Sequence, residues 1–205
     1  MLPFPSGWPT LPLGVAVALL ALGWVCGSFP SAVVVGRAVG IDVLRDGEGN
    51  PGSANVWHLA GPGAGMAVLL LDLLRAIVPG LVGWAVGGYW GAVFGALGAV
   101  IGSVRPLIPG LRGGRGVGTA AGAGLIIEPV AGIVGFVAAI LAYAVVRRAP
   151  VATAVGFVAY PVAWLVLGVR SIDTLVPMAG AGLIALVAAG RWAATRRRAA
   201  GRSRA

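Results

Sequence analysis

Apolar residues in this chain come in long unbroken runs, separated by short polar stretches, with no strand-like alternation between turn signals. A bilayer core about 30 Å thick needs roughly 20 consecutive apolar residues to cross it as a helix. Runs that qualify or come close cover Leu11–Val35, Gly63–Val86, Tyr89–Ser103, Val117–Ile127, Val130–Val146, Val151–Val169 and Leu175–Ala189. The fourth is short and is expected to extend backwards through the glycine-rich stretch before it. Glu128-Pro129 should end it, and Arg147-Arg148 with Pro150 should end the fifth. The missing alternation argues against a β-barrel. The pattern therefore predicts an all-α, polytopic integral membrane protein of about seven transmembrane helices. Its division is a single transmembrane domain over 1–190 and a basic tail over 191–205.

Composition supports this reading. Of 205 residues, 59% are hydrophobic and 10% are charged, whereas a soluble domain carries roughly 25% charged residues. Such a chain cannot coat a water-facing surface. Its 35 glycines are spread through the apolar runs, as expected where helices pack closely in lipid. The first run lacks a basic flank and is too long for a cleaved signal peptide. A single cysteine, Cys26, permits no internal disulfide.

Charge then orients the chain. Lysine is absent, and the net charge of +9 rests on arginine alone. No basic stripe with interleaved aromatics occurs, so the charge points to a membrane surface rather than nucleic acid. With the tail inside, thirteen of the fifteen arginines are cytoplasmic: Arg37, Arg45, Arg105, Arg112, Arg115, Arg147, Arg148 and the six from Arg191 onward. The positive-inside bias predicts an outer N-terminus and a cytoplasmic C-terminus in a bacterial-type plasma membrane. It also puts two polar segments, 37–60 and 102–116, on one face, where they can meet as one site.

The second of these segments gathers Arg105, Arg112 and Arg115 with a glycine cluster, then opens into an apolar helix. Glycine N–H groups, a helix N-terminus and guanidinium forks together make an anion cradle, most readily for phosphate. The spacing is not that of a nucleotide P-loop. A merely basic connector is the alternative. In the second run, Asp72 and Arg75 lie three residues apart on one helix face and can pair. An intramembrane pair of this kind either lines a functional site or locks helices together. A site of this composition suits acyl transfer between a lipid-derived donor and a soluble phosphate ester, or transport of an organic phosphate. The lack of internal repeats favours the enzyme.

Gly27-Ser28-Phe29-Pro30-Ser31, followed by Asp42 and the run Gly47-Glu48-Gly49-Asn50-Pro51-Gly52-Ser53-Ala54-Asn55-Val56, resembles the first motif of a known bacterial membrane family, the acyl-phosphate-dependent glycerol-3-phosphate acyltransferases. Leu71-Asp72-Leu73-Leu74-Arg75 resembles its Leu-Asp-x-x-Lys stretch. Gly102-Ser103 through Arg112-Gly113-Gly114-Arg115-Gly116-Val117-Gly118-Thr119 is similar to its glycine-loop motif. The likeness covers residues 23–129, nearly ungapped.

The resemblance implies a seven-span fold and transfer of an acyl group from acyl phosphate to glycerol 3-phosphate, yielding lysophosphatidic acid with no metal or other cofactor. It implies phosphate binding by Ser103, Arg112, Gly113, Gly114, Arg115, Gly116 and Thr119. It also implies a catalytic group made from Ser28, Arg45, Asn50, Ser53, Asn55, His58, Asp72 and Arg75. Some positions depart from the family's pattern. Glu48 stands in place of serine, Ala54 of threonine, His58 of arginine, Ser103 of histidine and Arg115 of lysine; Arg191 and Ala194 fall where His-x-x-Asn is expected. Glu48 opposes an anionic substrate unless it pairs with Arg45 or Arg112. The departures leave a second expectation open: a catalytically impaired paralogue that binds phosphate or lipid, or acts as a membrane scaffold.

Overall fold

The computed structural model describes residues 11–166. These residues form helices α1 (Leu13–Gly27), α2 (Ser31–Ala38), α3 (Ser53–Val104), α4 (Val117–Ile127), α5 (Pro129–Val146) and α6 (Ala149–Val166), and no strand occurs among them. Among the described residues, four stretches are long and apolar enough to cross a membrane: Leu13–Ala38, Ser53–Val104, Pro129–Val146 and Ala149–Val166. Leu13, Val17, Leu70, Leu81, Val137, Leu141 and many other apolar side chains are exposed on the bundle. They form the lipid-facing surface of a multi-pass membrane protein.

The first run is not one continuous helix. Pro30 removes a backbone donor and biases Phe29 away from helix, so α1 stops at Gly27 and α2 starts at Ser31. α3 doubles back on itself. Its backbone leaves helical geometry at Gly61 and again at Gly87 and Gly88, and Gly83 lies against Gly91 while Pro79 lies against Gly95. The two legs, 62–86 and 89–104, are thus antiparallel and match the second and third apolar runs. The segment before Gly61 is a short helix, so the polar stretch 37–60 is helical at both its ends and irregular between. α4 does not extend backwards. It begins at Val117, after Gly116 takes a left-handed φ of 74°, which a β-carbon would strain.

Close backbone approach fixes the packing. A β-carbon on Gly27 would strike the carbonyl of Ala99, and one on Gly102 the carbonyl of Trp24. α1 therefore runs parallel to the last leg of α3 at a separation only glycine allows. α4 lies along the preceding leg, with Gly118 against Asp72, Gly122 against Leu73 and Ile126 against Gly80. At the end of α5, Tyr143 meets Trp57 edge-on, with ring centroids 6.4 Å apart. The α5–α6 turn with Arg147 and Arg148 is thereby on the same face as segment 37–60. The end of the sixth run, the seventh run, Arg191, Ala194 and the basic tail lie outside the described residues.

Candidate functional site

Two polar centres form where these helices begin and end. The deeper one is built on the break between α1 and α2. That break frees the Gly27 carbonyl from helical pairing and leaves Phe29 O with the Ser31 N–H alone. Arg75 supplies the donors: Nη1 donates to Gly27 O (3.1 Å) and Phe29 O (2.5 Å), and Nη2 donates to Asp72 Oδ1 (2.5 Å) and Thr119 Oγ1 (3.2 Å). The Ser31 hydroxyl also donates to Asp72 Oδ1. Asp72 and Arg75 side chains are 8% and 13% exposed. One ion pair thus joins α1, α2, α3 and α4. Ser31 had no assigned role in the sequence; its place directly after Pro30 was the available signal.

The shallower centre is where the two polar segments meet. The loop between α2 and α3 turns through left-handed Gly47 and Gly49, and Asn55 organises it from the first turn of α3. The Asn55 amide donates to Val43 O and Asp46 O, while its oxygen accepts the Glu48 N–H. Asn55 is buried, so its polar atoms serve the loop. The second loop is held from α1: Ser28 Oγ donates to Trp24 O and accepts the Leu107 N–H, and Trp24 Nε1 donates to Arg105 O. Ser103 Oγ donates to Val100 O, and the Gly114 N–H donates to Ser103 O. The Gly114 amide is therefore directed at its own chain.

These loops touch at two points. A β-carbon on Gly114 would lie 2.9 Å from Pro51 O, and Arg115 Nη2 donates to Glu48 Oε2 at 2.7 Å. Glu48 thus takes Arg115 as its partner rather than Arg45 or Arg112. Arg45 instead lies 3.5 Å from Asp42, and Arg112 is exposed. The carboxylate's charge is thus set against a guanidinium of the opposing loop. Gly113 packs against Val104 O, Gly116 starts α4, and Thr119 belongs to the deep centre. Asn50 and Ser53 are half-buried beside Pro51, and His58 is exposed on the first segment of α3. Among the described residues, no three His, Cys, Asp or Glu side chains gather to hold a metal ion.

A third feature lies across α4. Gly118 and Thr119 face the deep centre, while Val117, Ala120, Ala121, Gly124 and Ile127 face an apolar cavity of about 150 Å³ bounded by α5, α6 and the last leg of α3. α4 therefore separates the ion pair from an oily space, and both begin at the glycine loop.

Fold and site together define a polytopic helical membrane protein with two polar loops locked into one junction. The chain belongs to the glycerol-3-phosphate acyltransferase family, whose family model matches residues 17–201. A glycerol-3-phosphate acyltransferase of Rubrobacter xylanophilus is 39% identical over 118 residues, covering 57% of this chain and 59% of that one. One from Anaeromyxobacter sp. is 39% identical over 139 residues, covering 65% and 68%, and one from Klebsiella pneumoniae is 41% identical over 112 residues, covering 53% and 54%. The alignments span roughly half to two thirds of these relatives' lengths. The fold is shared with the crystal structure of PlsY, an integral membrane glycerol 3-phosphate acyltransferase, in its glycerol 3-phosphate form. The TM-score is 0.78 at 24% identity, over 91% of this chain and 92% of that one.

Proposed function

We propose that this protein transfers a fatty acyl group from acyl phosphate to glycerol 3-phosphate, forming lysophosphatidic acid at the cytoplasmic face of a bacterial-type plasma membrane. Family membership supports the reaction class. The observation that carries the assignment to this junction is the contact of Arg115 with Glu48 across the two loops. A guanidinium poised on an exchangeable carboxylate, beside the N-terminus of α4, is a ready place for a phosphate.

In this reading Arg115, Arg112, Gly113, Gly116 and Ser103 form the phosphate-binding wall, and Asn50, Ser53, His58 and Arg45 border the acceptor. The acceptor hydroxyl attacks the acyl carbonyl, the bond from carbonyl carbon to phosphate oxygen breaks, and the phosphate departs carrying the hydroxyl's proton. Because that leaving group is already good, positioning and charge stabilisation supply most of the rate. Asp72, Arg75, Thr119, Ser28 and Asn55 act indirectly, holding the helix break and the two loops in register. The apolar cavity takes the acyl chain. Pairing of Glu48 with Arg115 lessens the electrostatic ground for a non-catalytic paralogue without removing it.

The orientation proposed is N-terminus outside and C-terminus inside, in keeping with the arginines of the first two loops and the α5–α6 turn sharing one face. The decisive experiment is acyl transfer by the purified full-length protein, given acyl phosphate and radiolabelled glycerol 3-phosphate. Labelled lysophosphatidic acid supports the reading, and no product with any acyl phosphate ends it.

A further inference from the structure

We infer that Glu128, seated just behind the cavity lining where Tyr160 crosses the last turn of α4, acts as a polar floor and sets the length of acyl chain the protein accepts. This rests on the acyltransferase reading above. The cavity follows one face of α4 from Val117, two residues beyond Arg115, to Ile127. Those ten helical steps span about 15 Å. That is half of the roughly 30 Å bilayer core, the depth occupied by one leaflet's acyl chains. A phosphate held at the loop would therefore leave its chain lying along α4, with the methyl end near the last turn.

The cavity lining ends there at Ile127 and Tyr160. The Tyr160 ring comes within 3.2 Å of where a β-carbon on Gly124 would sit, so it crosses the last turn of α4. Glu128 follows at once, 8% exposed, with Oε1 buried and no hydrogen-bond partner among the described residues. Its N–H donates to Gly124 O and its carbonyl accepts the Gly132 N–H, and both glycines line the cavity. It stands at the N-cap of α5 yet makes no side-chain capping bond, so helix capping does not account for it. A carboxylate in a membrane bundle is costly and marks function by default. A chain long enough to reach this group would press its methyl end onto a polar floor, where added methylenes gain nothing from burial.

Acyl phosphates and, separately, non-reacting alkyl phosphates graded by two methylenes provide the test on the full-length protein. The first series is read as kcat/KM with glycerol 3-phosphate, the second as thermal stabilisation. Both should rise with length and then break off. Glu128→Leu should move the break to longer chains, gaining about fourfold in kcat/KM for each further methylene accommodated. Glu128→Gln, which keeps the floor polar, should leave it in place. Ala121→Leu, higher in the cavity, should shorten it, and serves if Glu128→Leu does not fold. An unchanged break in both Glu128→Leu and Ala121→Leu overturns the inference. So does an absence of stabilisation by alkyl phosphates of any length, the result if part of the chain itself, such as Leu175–Ala189, fills the cavity. Failure of the acyltransferase reading looks different: the unmodified protein makes no product, while the stabilisation series still reports on the floor.

Discussion

Two arginine–carboxylate pairs among the described residues have nearly the same length, 2.5 Å for Arg75–Asp72 and 2.7 Å for Arg115–Glu48, yet they do different work. Asp72 and Arg75 side chains are 8% and 13% exposed, and their remaining bonds go to backbone carbonyls and hydroxyls of three other elements. Glu48 is 58% exposed and Arg115 19%. Ions buried in a bundle depend on the partners the protein supplies, because water is not there to replace a lost one; of the Arg75 guanidinium only Nε is buried without a partner among the described residues. At the membrane face water can compensate, so the same pair becomes exchangeable. Burial, more than distance, separates a helix lock from an anion site.

The sharpest way to break this contrast is Asp72→Ala. It strands the Arg75 guanidinium in a poorly hydrated place, and loss of one partner of a buried pair costs about 3–5 kcal/mol. Folded protein in detergent should be largely lost. The double change Asp72→Ala, Arg75→Ala should recover only part of it, since Gly27 O would then lose its Arg75 donor and Phe29 O would keep only the Ser31 N–H. Unfolding temperatures of the three forms decide the matter, and an unchanged value for Asp72→Ala would mean the pair is wet.

Arg115→Ala should give the opposite pattern. Stability should barely change, while binding of glycerol 3-phosphate or an acyl phosphate analogue should weaken by roughly 10- to 150-fold, a loss of about 1.5–3 kcal/mol for a charge-assisted contact. Calorimetry on folded protein measures it directly. Equal affinity in Arg115→Ala and the parent would reduce the loop to a basic connector.

Glycine to alanine separates the same two regions by a second route. At Gly27 the new carbon meets the Ala99 carbonyl within a helix crossing, where neither backbone can retreat, and overpacking should cost about 1–3 kcal/mol. At Gly114 the obstacle is Pro51 O in the opposing loop at 2.9 Å. That loop can give way by a few tenths of an ångström, so thermal stability should fall less. Comparable losses at both positions would show the junction to be as rigid as the bundle.

Much of this was legible in the sequence. Apolar runs and proline gave most helix positions, and the spacing of Asp72 and Arg75 gave their pairing. The meeting of 37–60 with 102–116 followed from which arginines share a side. What stayed hidden depended on through-space partners. Pro30 was visible, but not that its break would need Arg75 to cap it. Asn55 read as a site residue, yet its amide is taken up by Val43, Asp46 and Glu48. Glu48 read as an obstacle to anions, because nothing local to it names a partner 67 residues away.

That partner sets the smallest and most discriminating effect. A phosphate approaching Arg115 must displace or share with the Glu48 carboxylate, and like charge opposes it. Against this, Glu48 holds the Arg115 side chain in place before any ligand arrives, which lowers the entropy cost of binding. Exposed pairs are worth about 0–1 kcal/mol, so neither contribution is large. Glu48 is the more exposed partner and gives up the pair at little cost to folding, so repulsion of the ligand should dominate. Glu48→Gln is therefore expected to strengthen glycerol 3-phosphate binding by up to about fivefold at low salt. Glu48→Ser, with no long side chain to retain the contact, should do the same, and adding His58→Arg should raise it further. Because the effect is electrostatic and near water, it should shrink as ionic strength rises and the Debye length falls to about 8 Å at 0.15 M. Weaker binding by both Glu48 variants, independent of salt, would mean that Glu48 preorganises Arg115, and the exposed pair would then be a fixed part of the site.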